Sequence, residues 1–186
     1  MKQSKKKVII DKRPLLTDIP TLRKQARKYV EEGAVTMGYG ADRNLVIEFL
    51  NEALATELVC VLRYKRHYFM AKGIHSESIK AEFLQHANEE MIHADALAKR
   101  IIELGGEPNF SPVGLSERSH AEYVAADTLN AMIKEDLIAE RIAIESYREM
   151  IAYLAENDPT TKRLLKDILA MEEEHAEDLA SILENV

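Results

Sequence analysis

The sequence predicts an all-α protein, an antiparallel four-helix bundle with one long crossover connection and an N-terminal extension. Four stretches of about 26–30 residues repeat apolar residues at the 3.6-residue period of a helix. Seven glycines and five prolines in 186 residues are few for a strand-rich fold with many turns. Two of the links between the long stretches are short and one is long, which favours a bundle of neighbouring antiparallel helices.

The first 41 residues are predicted to form the extension. Residues 1–17 are expected to be extended or disordered. A short helix should follow, with Asp18 as N-cap, Pro20 in the first turn and Gly33 at its end. The glycine-rich segment 33–41 is expected to be a linker.

Residues 42–186 are predicted to form the bundle. Asp42 and Asp127 are candidate N-caps, and Asp158-Pro159 is a strong helix start, because the carboxylate caps and the proline fits the first turn. We also expect a helical turn near Tyr123. The four long helices should run from about Arg43 to Lys72, Glu77 to Leu104, Thr128 to Glu156, and Pro159 to the C-terminus.

Charge and cysteine content limit the class of protein. The formal net charge is −7, which disfavours general nucleic-acid binding, although the first thirteen residues are strongly basic. Cys60 is the only cysteine, so intramolecular disulfides and multi-cysteine zinc sites are excluded. No apolar run approaches the roughly 20 residues of a membrane span, and no secretory core follows the basic N-terminus. We therefore expect a cytoplasmic protein.

Each long helix has an apolar stripe that is interrupted by ionisable residues. Buried carboxylates are costly unless cations compensate them, and two divalent metal ions would balance four carboxylates. Carboxylate and imidazole ligands suit iron or manganese. The interrupting residues, which are the candidate catalytic and metal-binding residues, are Glu57, Glu90, His93, Glu140, Glu172 and His175.

The spacing of these residues strengthens the metal hypothesis. Glu90-x-x-His93 and Glu172-x-x-His175 place each pair on one helical face. A lone glutamate lies 33 residues before Glu90 and another lies 32 residues before Glu172, so two helix pairs contribute matching sets. The set agrees with the ligand pattern of di-iron carboxylate bundles. A single Glu-x-x-His occurs by chance in charged helices, and only the combination is specific.

Some neighbouring residues have ordinary explanations. A tyrosine follows each lone glutamate by seven residues, Tyr64 and Tyr147, and core tyrosines with a satisfied hydroxyl are common. We expect Glu89, Glu173 and Glu174 to face solvent or to support the ligands from outside.

The segments LNEALATELVCVLRY, HANEEMIHADALAKRI, DLIAERIAIESYREMI and LAMEEEHAEDL resemble bacterioferritin and the wider ferritin-like superfamily, including Dps-like ferritins. The resemblance covers about residues 44–183. It implies a ferroxidase centre that oxidises two Fe(II) ions with O2 or H2O2 and passes ferric iron to a mineral inside a shell. It also implies that Glu90 and Glu172 bridge the irons, and that Tyr64 is an electron donor beside them.

Further implications come from the same resemblance. Met91 matches the methionine that holds haem b between bacterioferritin subunits, although a methionine filling a subunit contact is an equal alternative. The chain ends eleven residues after His175, without the fifth helix of bacterioferritin, which favours a dodecamer over a 24-subunit shell. Dps-like proteins often hold DNA through a basic tail, a weak and salt-sensitive role open to Lys2, Lys5, Lys6 and Lys7.

Two other functions stay open at this point. One is a different di-metal oxidoreductase on the same bundle, for example a rubrerythrin-like peroxidase, a manganese catalase or an oxygenase. The other is a DNA-protecting shell whose bundle is only a scaffold, which would leave the six inward-facing ionisable residues unexplained.

Overall fold

The computed structural model describes residues 17–73 and 76–185. These residues fall into two compact units that divide between Met37 and Gly38. The predicted basic tail, with its four candidate DNA-binding lysines, lies outside the described residues. Within the described ranges all regular secondary structure is helical, which confirms the predicted fold class.

The first unit contains a short helix α1, Ile19–Gln25, and a single 3-10 turn, Val30–Glu32. Asp18 caps α1 as predicted, because its side chain accepts a hydrogen bond from the Thr21 backbone N–H at 3.0 Å. The prediction that the helix continues to Gly33 is wrong, since it ends at Gln25. Within the part of the chain that the structure describes, no residue of α1 is buried. The helix therefore has no packed apolar face that would stabilise further turns.

The second unit contains the four long helices, α2 (Arg43–Met70), α3 (Ser76–Glu103), α5 (Leu129–Leu154) and α6 (Pro159–Glu184). Asp42 and Asp158 cap α2 and α6 as predicted. The cap of α5 is Thr128 instead of Asp127, because the Thr128 hydroxyl accepts from the Ala131 N–H. The predicted turn near Tyr123 is also misplaced, and the short helix α4 lies at Leu115–Arg118.

The long helices pack in two pairs, α2 with α3 and α5 with α6, and the pairs meet through α2 with α5 and α3 with α6. Their buried stripes form one core at the centre of the bundle. The turn that ends α3 needs glycine twice. Gly105 has a positive φ of 78°, and a Cβ on Gly106 would lie 2.8 Å from Ile47 of α2.

The connection between α3 and α5 runs along α2. Near one end of α2, the Asn51 side-chain amide donates to the Glu107 carbonyl at 3.2 Å. Near the other end, His67 Nε2 lies 3.1 Å from the Ala125 carbonyl oxygen. Asn51 and His67 are sixteen positions apart, which is about 24 Å of helix. The connection therefore follows α2 along most of its length. This confirms the predicted long crossover.

The start of α6 is tied to the end of α3 by a buried ion pair. Arg100 Nη2 donates to Asp158 Oδ1 at 3.1 Å, and Arg100 Nε donates to Thr161 Oγ1 at 2.7 Å. Asp158 therefore both caps α6 and neutralises a buried arginine. None of the described helices is long and apolar enough to cross a membrane.

Candidate metal centre

The helical stripes bring all six predicted ligands to the middle of the bundle. Each is 5% exposed or less. We call this set the carboxylate cluster: Glu57 from α2, Glu90 and His93 from α3, Glu140 from α5, and Glu172 and His175 from α6. The period of each stripe explains the arrangement, because residues three and four apart share the inward face.

Two sets of potential ligand atoms overlap within the cluster. Glu57, Glu90, His93 and Glu172 offer atoms that all lie within 4.8 Å of one another, and a second set replaces Glu57 and His93 with Glu140 and His175. Glu90 and Glu172 belong to both sets. Two adjacent cation positions with two shared carboxylates therefore fit between the helices.

The imidazoles face the carboxylates closely. His93 Nδ1 lies 3.0 Å from Glu172 Oε1, 3.1 Å from Glu90 Oε2 and 3.4 Å from Glu57 Oε2. His175 Nδ1 lies 3.4 Å from Glu90 Oε1 and 3.6 Å from Glu172 Oε2. These separations are close to those of ligand atoms around one metal ion, about 3.0–3.4 Å for metal–ligand bonds near 2.1 Å.

Several buried atoms of the cluster make no hydrogen bond at all. They are Glu90 Oε1, Glu140 Oε2, both carboxylate oxygens of Glu172, and His175 Nδ1. Buried polar atoms in folded proteins are almost always paired, so unpaired ones need an explanation. All five can accept a cation, and the donor set of oxygen and imidazole nitrogen fits iron or manganese.

Protons balance the charges of this centre when cations do not. Burial and the charge of Glu90 raise the pKa of Glu57 to about 8. Burial, with Glu90 and Glu172 nearby, raises the pKa of Glu140 well above its usual range. Burial alone would lower the pKa of His175, but the nearby carboxylates of Glu172 and Glu90 raise it to about 10. Divalent cations and protons therefore compete for the same atoms.

Glu90 and His93 complete this proton balance. Burial and Glu172 would raise the pKa of Glu90, but the neighbouring imidazoles of His175 and His93 lower it below its usual value. Burial would lower the pKa of His93, but Glu172, Glu57 and Glu90 together raise it well above the usual value. The two imidazoles beside Glu90 therefore favour its ionised form.

Each tyrosine bonds the lone glutamate of the other helix pair. The Tyr64 hydroxyl on α2 donates to Glu140 Oε1 on α5, and the Tyr147 hydroxyl on α5 donates to Glu57 Oε1 on α2. Both tyrosines are fully buried. The tyrosines that follow the lone glutamates by seven residues thus exchange hydrogen bonds between the two helix pairs. Each bond holds one oxygen of a lone glutamate and leaves the other oxygen free to face the centre of the cluster.

Glu89 supports the centre from outside. Its Oε2 lies 2.9 Å from His175 Nε2, while Nδ1 of the same ring faces the inner carboxylates. A carboxylate on the far nitrogen of a ligating histidine fixes the ring and increases its basicity. This agrees with one of the two roles expected for Glu89. Glu173 instead pairs with Arg148 at the surface, at 2.7 Å.

Sequence reasoning missed His86, which is fully buried beside the cluster. Its ring stacks on the His175 ring with centroids 4.1 Å apart, and its Nδ1 lies 3.3 Å from the Tyr64 hydroxyl. Its Nε2 makes no hydrogen bond and lies 3.5 Å from Glu82 Oε1. The available signal was its position four residues before Glu90, on the same stripe.

A second buried polar group was also missed. We call it the arginine cluster: Arg63, His67 and Asp136. Arg63 Nε donates to Asp136 Oδ1 at 2.7 Å, and His67 Nδ1 lies 2.8 Å from Asp136 Oδ2. The other arginine nitrogens contact the Glu122 carbonyl at 2.9 Å and Cys60 Sγ at 3.6 Å. Every side-chain nitrogen and oxygen of this cluster has a partner.

Met91 lies outside the core. The residue is 38% exposed, because it follows Glu90 directly and lies about 100° around α3 from it, away from the buried face. An outward position is compatible with a contact between subunits, and the haem prediction stays a prediction.

Comparison with known proteins places this chain in a family. The sequence pattern of the ferritin-like domain matches residues 47–186. The bacterioferritin of Rhodobacter capsulatus is 32% identical over 138 residues, which are 72% of this chain and 80% of that protein. The nutrient stress-induced DNA-binding protein of a Synechococcus species is 30% identical over 141 residues, covering 74% of this chain and 80% of that protein.

Solved structures give the same result. The dodecameric thioferritin of Bacteroides fragilis, a bacterioferritin-related protein, superposes with a TM-score of 0.76 at 33% identity, over 78% of this chain and 88% of that one. Dps from Thermosynechococcus elongatus superposes with a TM-score of 0.73 at 21% identity, over 75% and 90% of the two chains, which supports the fold alone. With its buried carboxylate cluster on a matching bundle, this chain belongs to the ferritin-like family, which includes iron-storage proteins of the bacterioferritin and Dps-like types.

Proposed function

We propose that the protein is a ferroxidase, which oxidises Fe(II) with O2 or H2O2 at the carboxylate cluster and stores the ferric product as mineral in a homo-oligomeric shell. One observation carries the proposal. Two overlapping sets of buried ligand atoms share Glu90 and Glu172, and several of their lone pairs have no other partner. A pair of cations is the simplest way to satisfy them.

In this proposal the two Fe(II) ions are substrate. Glu57 with His93 and Glu140 with His175 are the terminal ligands, while Glu90 and Glu172 bridge. Each Fe(II) gives up one electron, and O2 takes two electrons and two protons to form H2O2. The ligand set favours this oxidation because four carboxylates attract a trivalent ion more strongly than a divalent one.

The chain also supplies orientation and proton control. Tyr64 and Tyr147 each hold one oxygen of a terminal carboxylate, so the second oxygen points to the metal position. Fe(II) displaces the protons that the raised pKa values of Glu57 and Glu140 retain in the metal-free cluster. The resemblance gives Tyr64 the additional role of electron donor.

The test is Fe(II) oxidation by a pair of matched variants on α2. We expect Glu57→Gln to slow the initial stopped-flow rate by at least about 100-fold, since even residues that only support metal ligands cost about 10–100-fold. Glu48→Gln, the same change at an exposed position of α2, should leave the rate unchanged. Anaerobic Fe(II) titration should give about two tight ions per chain in the wild type. Equal oxidation rates in wild type and Glu57→Gln would contradict the assignment of Glu57 as an iron ligand.

We favour a dodecameric shell for the storage role. The support is the bacterioferritin-related neighbour from Bacteroides fragilis, which is described as dodecameric. Twelve chains of 21.1 kDa should elute near about 250 kDa and carry an iron mineral after aerobic loading. A dimer without mineral would instead favour the alternative of a rubrerythrin-like or other di-metal oxidoreductase on the same cluster.

Two predictions from the resemblance have separate tests. DNA protection through Lys2, Lys5, Lys6 and Lys7 is supported by a relative named as DNA-binding, and gel shifts with and without residues 1–13 test it. Haem b at Met91 is tested by spectral titration of the wild type against Met91→Leu.

A further inference from the structure

A second group of ligand-type side chains lies beside the carboxylate cluster. We call it the outer triad: Glu82 and His86 of α3 and Asp178 of α6. Each offers one ligand atom, and these atoms lie within 4.8 Å of one another. His86 Nε2 is 3.5 Å from Glu82 Oε1 and 4.0 Å from Asp178 Oδ2. The triad shares no residue with the six of the carboxylate cluster.

The hydrogen bonds of His86 leave its Nε2 as a free lone pair. The Tyr64 hydroxyl gives its only proton to Glu140, so its oxygen accepts from His86 Nδ1–H at 3.3 Å. A neutral imidazole with the proton on Nδ1 has an acceptor at Nε2. That atom is buried and has no hydrogen-bond partner, and the nearest polar atoms are carboxylate oxygens. Two acceptors facing each other at this distance repel, and a cation or a proton between them removes the repulsion.

The two carboxylates of the triad place negative charge beside the His86 lone pair. Burial, followed by the charges of Asp178 and Glu89, raises the pKa of Glu82. The side chain of Glu82 is 29% exposed and that of Asp178 is 48% exposed, whereas the side chain of His86 is fully buried. The triad thus opens to solvent on its carboxylate side and ends inside the protein at an imidazole.

We propose that the outer triad is a third divalent-cation site, distinct from the two positions in the carboxylate cluster. Nitrogen and oxygen ligands bonded at about 2.0–2.2 Å stand about 3.0–3.5 Å apart, so the observed distances need only small side-chain shifts. Water completes the coordination from the solvent side. The ligand class is a borderline divalent ion, Fe(II), Mn(II), Co(II) or Zn(II).

The location gives this site a use. The His86 ring stacks on the ring of His175, which belongs to the carboxylate cluster, so only these two rings separate a cation at the triad from the inner positions. It is the first coordinating position for an ion that arrives from this side. The proposal goes beyond ferroxidase activity, because a third site can exist whatever the inner pair does.

The test is anomalous diffraction from crystals of the intact assembly soaked anaerobically with Co(II), together with equilibrium dialysis to count Co(II) per chain. Wild type should show an anomalous peak among Glu82, His86 and Asp178, and about three ions per chain. Glu82→Gln/Asp178→Asn should lose this peak, or weaken its affinity at least tenfold, while both inner peaks stay. Glu177→Gln, which removes one negative charge at an exposed neighbour on α6, should keep all three.

Two results would overturn the proposal. One is a wild-type map with both inner positions filled and no peak at the triad. The other is a third peak among His86, Glu140 and His175, a grouping that the geometry also brings within 4.8 Å, because His86 would then belong to the inner centre. Failure of the proposed ferroxidase function is scored separately in the same maps, as empty inner positions.

Discussion

The bundle buries two polar clusters, and they differ in whether their buried polar atoms have hydrogen-bond partners. The arginine cluster has a guanidinium to match its single carboxylate, and all its polar atoms are bonded. The carboxylate cluster has four acids, two imidazoles and several unbonded atoms. Both are equally buried. Burial of charge is therefore no sign of a metal site by itself, whereas a surplus of buried acceptors is.

The largest expected difference between the clusters is their response to a metal ion. At a free Co(II) concentration 100 times Kd, two sites should stabilise the protein by about 5 kcal/mol, at about 2.7 kcal/mol each. For a chain of this size that is a rise of about 10–20 °C in Tm. Differential scanning calorimetry at fixed protein concentration measures it.

Matched variants show which cluster causes that rise. Glu172→Gln removes a carboxylate shared by both cation positions and should lose most of the gain. Asp136→Asn changes the arginine cluster and should keep it. A full Co(II) response in Glu172→Gln would mean that the ions bind elsewhere.

The second prediction breaks each cluster in the metal-free protein. Asp136→Asn leaves the buried Arg63 charge without its carboxylate, and breaking a buried pair in this way costs about 3–5 kcal/mol. Tm should fall by at least about 6 °C. Glu140→Gln, four residues later on α5, replaces an acid that is protonated in the metal-free cluster with a neutral amide of similar shape, and should leave metal-free stability unchanged or higher.

The comparison within α5 is what decides this second test. Chemical denaturation of both variants, purified with chelator, gives the two free energies of unfolding side by side. A larger loss for Glu140→Gln than for Asp136→Asn would show that the carboxylate cluster is a self-sufficient structural network.

The third prediction concerns pH and the metal-free protein. The pKa of Glu57 rises from 4.5 to about 8 on folding, and that of His175 from 6.5 to about 10. In both cases the folded state holds the proton more tightly. The resulting stability is present below the unfolded pKa and is lost as pH rises through the folded one. From pH 6 to pH 9 these two shifts correspond to a loss on the order of 5 kcal/mol, which should lower Tm by at least about 10 °C.

Metal loading should remove this pH dependence, because cations replace the protons. The Co(II)-saturated protein should keep its Tm over the same pH range, and Glu57→Gln should show a flatter curve than wild type without metal. A metal-free Tm that rises between pH 6 and pH 9 would contradict the assigned pKa directions.

The carboxylate cluster could be predicted from sequence because each of its members interrupts an apolar stripe. Burial of a stripe follows from helical periodicity, so any ionisable residue within it must be buried too. The internal repeat of Glu57 and Glu140 then identified the helices that pair. The fold followed from the same stripes and from link lengths.

The arginine cluster and His86 could not be predicted in this way. Arginine and aspartate on long helices are usually solvent-exposed, and Arg63 meets Asp136 across 73 residues of sequence. His86 is on a buried stripe, but a histidine there is as compatible with ordinary packing as with metal binding. The predicted end of α1 was wrong for a related reason. Gly33 can end the helix only if a buried apolar face carries the helix that far, and α1 has no buried residue.

The smallest predicted effect concerns the two tyrosines, which test whether the carboxylate cluster is as symmetric as its repeat. Tyr64→Phe and Tyr147→Phe each remove a single hydroxyl that bonds a terminal carboxylate. A neutral hydrogen bond contributes about 1 kcal/mol, so each should lower Tm by about 2–4 °C, with no change for exposed Tyr153→Phe. If the two halves of the carboxylate cluster are equivalent, the two variants should also slow Fe(II) oxidation equally. A tenfold larger loss in Tyr64→Phe would instead separate Tyr64 as an electron donor, because its hydroxyl alone also contacts His86.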